Sequence, residues 1–61
     1  MYEIASKTKT MPNNKFIYEF RGKSSYPNPI FPDMATGSVL YDIDTQNIFM
    51  YDADAKTWLP Q

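Results

Sequence analysis

Short runs of aromatic and β-branched residues, each interrupted by proline, asparagine or glycine, dominate this chain of 61 residues. Phe16, Tyr18 and Phe20 alternate with Ile17 and Glu19, which is the two-residue spacing of a strand. No segment carries the apolar spacing of an amphipathic helix. The sequence therefore predicts an all-β protein, a small antiparallel meander of three to five strands with a proline-rich loop and no helix.

The predicted strands are joined by turns and by that loop, which contains Pro27, Pro29 and Pro32. Closely spaced prolines are incompatible with a helix or a central strand. We expect a single domain over residues 1–61, made of an N-terminal hairpin (1–25), the proline-rich loop (26–37) and a C-terminal hairpin with a short last strand (38–60). The strands are predicted at residues 2–7, 16–21, 38–43, 48–52 and 57–59, with turns at 10–14, 44–47 and 52–56, and Pro60 ends the last strand.

Two predicted strands, residues 16–20 and 48–51, carry large apolar side chains on both faces. A sheet with two apolar faces needs a covering layer on each side. A chain of this length either closes into a small barrel or leaves one face for another chain. We favour the second interpretation, because ten aromatic rings are many for one small core. We expect a protein partner to contact Tyr26, Ile30, Phe31 and Trp58.

The chain lacks cysteine and histidine, which narrows the chemistry that it can perform. Without them it has no disulfide, no thiolate or imidazole metal ligand and no histidine general base. Catalytic triads and zinc fingers are therefore excluded, and we predict that the chain is not an enzyme. We expect no catalytic residue, no metal site and no cofactor, and a small-molecule ligand is not favoured.

Charge is balanced overall but unevenly distributed. The formal net charge is −1, with +3 in residues 1–25 and −4 in residues 26–61. This distribution either lets copies pair head to tail or forms two solvated surfaces of opposite sign. The slightly acidic balance does not predict nucleic-acid binding. No apolar run is long enough to span a membrane, and residues 1–10 do not resemble a secretion signal.

Aspartates near the predicted C-terminal hairpin are the candidates for a cation site. Counted from Asp42 as an EF-hand loop, the positions that require glycine and glutamate hold Asn47 and Ala53, so the match fails. Aspartate and asparagine also favour turns, because their side chains accept hydrogen bonds from nearby backbone N–H groups or tolerate a left-handed backbone. We therefore predict that Asp44, Asn47 and Asp52 are structural turn residues.

The C-terminal hairpin also carries a motif. It reads Gly37-Ser38-Val39-Leu40-Tyr41-Asp42-Ile43-Asp44-Thr45, followed by Tyr51-Asp52 and Trp58. This sequence resembles a hairpin motif of small virion proteins of tailed bacteriophages and prophages, which also occurs in phage tail-fibre proteins. The resemblance covers about residues 18–59. It departs at Gln46, where the family has glycine, and at residues 52–56, where the family has a shorter turn; we expect Asn47 to supply the left-handed backbone of the first turn.

The resemblance implies a structural or accessory protein of the virion, which decorates the capsid or belongs to the tail or fibre. Its partners would be other virion proteins and further copies of itself, after synthesis in the cytoplasm of the host bacterium. The alternative is a phage-encoded inhibitor that binds one host enzyme. A third interpretation is a carbohydrate-binding module with Tyr41, Tyr51 and Trp58 as a platform, although cross-strand packing explains the same three residues.

Overall fold

A computed structural model describes residues 1–10 and 14–61, and these residues form five strands in one sheet. The described ranges contain no helix, so the predicted all-β class is confirmed. The strands lie side by side in chain order. They are β1 (Glu3–Lys9), β2 (Phe16–Gly22), β3 (Val39–Asp42), β4 (Asn47–Asp52) and β5 (Thr57–Pro60).

The pairing of β2 with β3 corrects the predicted antiparallel meander. The other three neighbouring pairs are antiparallel, but β2 and β3 run parallel, so the sheet is mixed. Parallel neighbours need a crossover of about a dozen residues or more. Residues 23–38 are long enough for this, and they carry the chain back to the end of the sheet where β2 begins. The proline-rich loop is therefore a crossover connection.

The first predicted turn is described only in part, and the last predicted strand differs at its end. The first predicted turn, residues 10–14, falls partly on residues 11–13, which lie outside the described residues. At its base the Thr10 N–H donates to the carbonyl oxygen of Lys15 at 2.7 Å. At the other end of the chain, β5 includes Pro60, which was predicted to end it. An edge strand tolerates proline because its N–H groups on the outer side need no ladder partner.

The proline-rich loop covers one face of the sheet, and the hydrophobic core lies between them. Phe31 directs its ring edge-to-face against Tyr18 and Phe20, with centroids 5.4 and 5.7 Å apart. On β5, the indole N–H of Trp58 donates to the carbonyl oxygen of Pro29 at 2.9 Å. The loop thus supplies the second layer of the fold. The buried hydrophobic residues are Tyr2, Tyr18, Phe20, Met34, Leu40, Tyr51 and Trp58.

Gly22, the last residue of β2, allows two tyrosine rings to approach the sheet closely. A Cβ atom at this position would lie 2.6 Å from the ring of Tyr2 and 2.9 Å from the ring of Tyr26. The two rings meet edge-to-face, with centroids 5.6 Å apart. A larger residue at this position would therefore displace Tyr2 and Tyr26 together, because both rings occupy the space of its side chain.

Ser38 is fully buried and joins β2 to the end of the crossover. Its hydroxyl accepts the backbone N–H of Tyr18 at 3.1 Å and donates to the carbonyl oxygen of Ala35 at 2.9 Å. The parallel ladder starts one residue later on each strand, at Glu19 and Val39. The serine hydroxyl therefore supplies the hydrogen-bond partner that the Tyr18 N–H needs just before the ladder begins.

We expect Ser38→Ala to lower the free energy of unfolding by about 1–3 kcal/mol, because it leaves the buried Tyr18 N–H without a partner. Urea denaturation measures this change. Ser24→Ala is the matched control, since the Ser24 hydroxyl donates to Asp44 at an exposed site. Its effect should stay below about 1 kcal/mol. Equal losses in the two variants would contradict the role assigned to Ser38.

Both C-terminal turns contain four residues and end in a left-handed residue. The β3–β4 turn ends at Gln46, with φ 59°, and the β4–β5 turn ends at Lys56, with φ 54°. The prediction that Asn47 takes the left-handed conformation is wrong, because Asn47 is the first residue of β4 and pairs with Asp42. A left-handed backbone costs a non-glycine residue roughly 1–2 kcal/mol. The chain therefore carries this strain at the last residue of each turn, Gln46 and Lys56.

We expect Gln46→Gly to raise the free energy of unfolding by about 0.5–1 kcal/mol, since relief of the strain exceeds the added flexibility of the unfolded chain. Asn47→Gly is the control, because it places glycine in a strand. The control variant should be destabilised by about 0.5–1 kcal/mol. Thermal and urea denaturation of both variants test the pair, and a loss of stability in Gln46→Gly would contradict the assigned turn geometry.

Candidate protein-interaction surface

The sheet face opposite to the proline-rich loop carries apolar side chains on β2, β3, β4 and β5, and the described part of the chain provides no layer over it. Residues paired directly across neighbouring strands share a face. Val39 pairs with Met50, which pairs with Leu59, and Tyr41 pairs with Ile48. We call this surface the open face, and its apolar residues are Ile17, Val39, Tyr41, Ile48, Met50 and Leu59.

The exposure of the open face is concentrated on its last two strands. Ile48, Met50 and Leu59 are 46%, 43% and 46% exposed, and the other three residues are half-buried. Single exposed apolar residues are ordinary on a protein surface. A contiguous apolar patch across several strands is instead typical of a surface that binds another protein.

β2 adds two opposite charges to the open face. Glu19 and Arg21 are exposed, and they pair across the parallel ladder with Val39 and Tyr41, respectively. A shallow depression of about 340 Å³ lies among these four residues and Ile48. The open face therefore combines an apolar area on β3, β4 and β5 with an acidic and a basic side chain next to each other on β2.

The two edges of the sheet are poorly suited to pairing with another strand. β1 carries Lys7 and Lys9 and an irregularity in its register between Ile4 and Ser6. β5 is four residues long and ends in Pro60. Lysine, proline, bulges and short length are the features by which natural proteins protect exposed edges. The open face is consequently the surface better suited to binding.

The residues predicted to contact a partner occupy different environments. Ile30 and Phe31, which we call the loop patch, are 55% and 37% exposed. Tyr26 is half-buried against Tyr2. Trp58 is only 8% exposed, because it lies under the loop and contacts the rings of Phe20 and Tyr51. The structure thus places Ile30 and Phe31 at the surface and Trp58 in the core.

The proposed aromatic platform is not assembled. Tyr51 and Trp58 pair across β4 and β5, with ring centroids 5.1 Å apart in the core. Tyr41 neighbours the buried Leu40 and Asp42 in β3, and its side chain therefore lies on the open face. Cross-strand packing accounts for Tyr51 and Trp58, and Tyr41 belongs to a different surface.

Asp44 and Asp52 each accept hydrogen bonds from nearby donors. The Asp44 carboxylate accepts the backbone N–H and the hydroxyl of Ser24 at 3.0 and 2.8 Å. These two donors hold the pKa of Asp44 below its usual value. Asp52 accepts the N–H groups of Asp54 and Ala55 within its own turn. Within residues 1–10 and 14–61, no three acidic side chains form a group that could hold a metal ion.

The side chain of Asp42 is buried, and the hydroxyl of Tyr2 donates a hydrogen bond to it. Burial raises the pKa of Tyr2 above 10.0, and the neighbouring Asp42 carboxylate raises it further. Burial likewise raises the pKa of Tyr18, whose hydroxyl donates to Asp33 at 2.9 Å. Folding therefore favours the neutral form of both tyrosines.

Because the pKa of Tyr2 is raised on folding, its contribution to stability is complete below about pH 10 and is lost as the pH rises above that value. Tyr2→Phe should lower the free energy of unfolding at pH 7 by about 1–3 kcal/mol, since the Asp42 carboxylate loses its donor. The difference between wild type and Tyr2→Phe should shrink above about pH 10. Urea denaturation at several pH values measures it.

Tyr41→Phe is the matched control, because Tyr41 lies half-buried on the open face. Its difference from wild type at pH 7 should be smaller than that of Tyr2→Phe. A constant difference between wild type and Tyr2→Phe from neutral to alkaline pH would contradict the proposed link between Tyr2 and Asp42.

Comparison with known proteins found no matching family model, no matching curated protein and no matching solved structure. Among the residues that the structure describes, there is also no helix of the length and apolar character needed to cross a membrane.

Proposed function

We propose that this chain is a binding module of a bacteriophage particle that attaches to the capsid or to the tail through protein–protein contacts. The observation that carries the proposal is the open face. The resemblance of the C-terminal hairpin to phage virion proteins supports a bacteriophage particle as the place of attachment. The proposal assigns no catalytic residue, cofactor or nucleic acid to the chain.

The energetics of the open face favour a protein partner. Complete burial of a large aliphatic side chain contributes about 1.5–3 kcal/mol relative to full exposure. Ile48, Met50 and Leu59 are each a little under half exposed, so contact with a partner can still contribute about 1 kcal/mol for each. Binding to a partner with an apolar surface of complementary shape removes these side chains from water and so gains this free energy.

The loop patch offers a second, smaller contact. Ile30 and Phe31 lie on the opposite side of the sheet from the open face, because the loop covers the other face. A module with apolar surfaces on both sides can touch two neighbours at once, as a protein that joins particle subunits must. Two charge-introducing variants separate the contributions of these surfaces.

The proposal predicts that the chain is present in purified particles of the phage that encodes it. Quantitative mass spectrometry of the particles should detect it at a fixed copy number, with hundreds of copies for a capsid position and a handful for the tail. Met50→Glu should lower that copy number at least several-fold, because it places a charge in the centre of the open face. Ile30→Glu tests the loop patch in the same way.

Ala55→Glu is the control, since Ala55 lies in the exposed β4–β5 turn. It should leave the copy number unchanged, and circular dichroism establishes that all three variants fold. Absence of the wild-type chain from particles, together with stoichiometric recovery of one host enzyme from a lysate, would contradict the virion proposal and favour the inhibitor alternative.

A further inference from the structure

We infer that the open face binds a second copy of this chain, with the two sheets packed face to face about a two-fold axis. This inference rests on the proposed function, because it names a partner for the same surface. It is carried by the order of charges and side-chain sizes on the face, which is self-complementary. Two aligned sheets pack about 10 Å apart and cross at roughly 30°.

The register arranges the centre of the open face in two rows that cross the strands. One row contains Arg21, Tyr41 and Ile48. The neighbouring row contains residues two positions away on each of the same strands. These are Glu19, Val39 and Met50.

A two-fold axis that runs between the rows, perpendicular to the strands, places each row opposite the other row of the second copy. Arg21 then faces Glu19 of the second copy, and Glu19 faces Arg21 of the second copy. Tyr41 faces Val39, and Ile48 faces Met50. The aromatic ring of Tyr41 thus meets the smallest apolar side chain of the face. An isologous interface requires this reciprocity, and the open face provides it in charge and in size.

The area of the face limits the size of the interface. Strands about 4.8 Å apart with four to seven residues give a flat footprint of roughly 400 Å² per copy, to which side-chain relief adds. Stable interfaces of standard size bury about 800 Å² per partner. The face is therefore smaller than a standard interface and suits a reversible dimer whose population rises with concentration.

The edges of the sheet explain why the association stops at two copies. Growth by strand addition is discouraged by Lys7, Lys9 and the bulge on β1 and by Pro60 on β5. A two-fold contact between faces consumes the open face of both copies. A closed dimer is the expected product, and not a fibre.

Sedimentation velocity of the wild-type protein from low micromolar to millimolar concentration tests the inference. We expect a monomer–dimer equilibrium. Glu19→Arg and Arg21→Glu should each weaken the dimer at least about tenfold, because each change creates two like-charged pairs across the axis. Both residues are exposed, so neither change disturbs the core, and circular dichroism establishes that the variants fold.

A mixture of the two single variants provides the decisive measurement. One variant then carries two arginines on β2 and the other carries two glutamates, so the mixed dimer regains two opposite-charge pairs. We expect the mixture to associate about tenfold more tightly than either variant alone. Charges within each chain, including Glu3 beside Arg21 in the register, are the same before and after mixing. Recovery can therefore come only from contacts between copies.

Three results would overturn the inference. The first is a wild-type protein that stays monomeric at millimolar concentration. The second is a dimer that Met50→Glu does not weaken, which would place the contact elsewhere. The third is a mixture that associates no better than the single variants.

The same measurements separate this inference from the proposed function. A monomeric wild type whose Met50→Glu variant is lost from particles would mean that the open face binds another virion protein, and only the self-pairing fails. A dimer with the expected charge response in a chain absent from particles would leave the self-pairing intact, and only the virion proposal fails.

Discussion

Packing of the proline-rich loop against a single face of the sheet is the contact on which this structure depends. A chain of 61 residues without cysteine cannot rely on disulfides, and a domain of this size buries only about 60% of the surface that its unfolded chain exposes. The loop provides the second layer through the ring of Phe31 and through the bond from Trp58 to the Pro29 carbonyl oxygen. Prolines lower the entropy that this irregular layer loses on folding.

The strand positions follow closely from the sequence, and the topology does not. Alternation at Phe16, Tyr18 and Phe20 identifies β2, and the aspartate-rich turns delimit β4. The direction of β3 depends on the path of residues 23–38. If they carry the chain back to the end of the sheet where β2 begins, β3 is parallel to β2, and if they stay at the end where β2 stops, it is antiparallel. Local residue preferences are the same in both cases. The length of that connection was the available signal, because antiparallel neighbours are usually joined by far shorter turns. Ser38 is buried, and its hydroxyl accepts the Tyr18 N–H of β2. The alternation of apolar and polar residues gives no signal for such a contact.

The candidate surface was only half predictable for a related reason. The pattern of residues 48–51 indicates two apolar faces, but it does not tell which face the loop covers. Counting aromatic rings directed attention to Trp58, whereas the structure buries Trp58 and exposes mainly aliphatic residues such as Met50 and Leu59. Rings are large and rigid, so they fill a small core efficiently, and the smaller side chains are left for the other face. Ile30 and Phe31 are exposed because a proline-rich loop cannot bury every side chain that it carries, and their contact with a partner stays a prediction.

The distribution of protection over the sheet argues for binding through a face. Lysines, a bulge and a proline occupy the two edges, where unwanted strand pairing begins. Comparable protection is missing from β4 and β5 on the open face, where Ile48, Met50 and Leu59 stand next to one another. These three positions are nearly half exposed, so their apolar side chains leave a contiguous area in contact with water. A chain that protects its edges and leaves apolar side chains on one face fits the proposed association through that face, in which the charges on β2 would select the partner and its orientation.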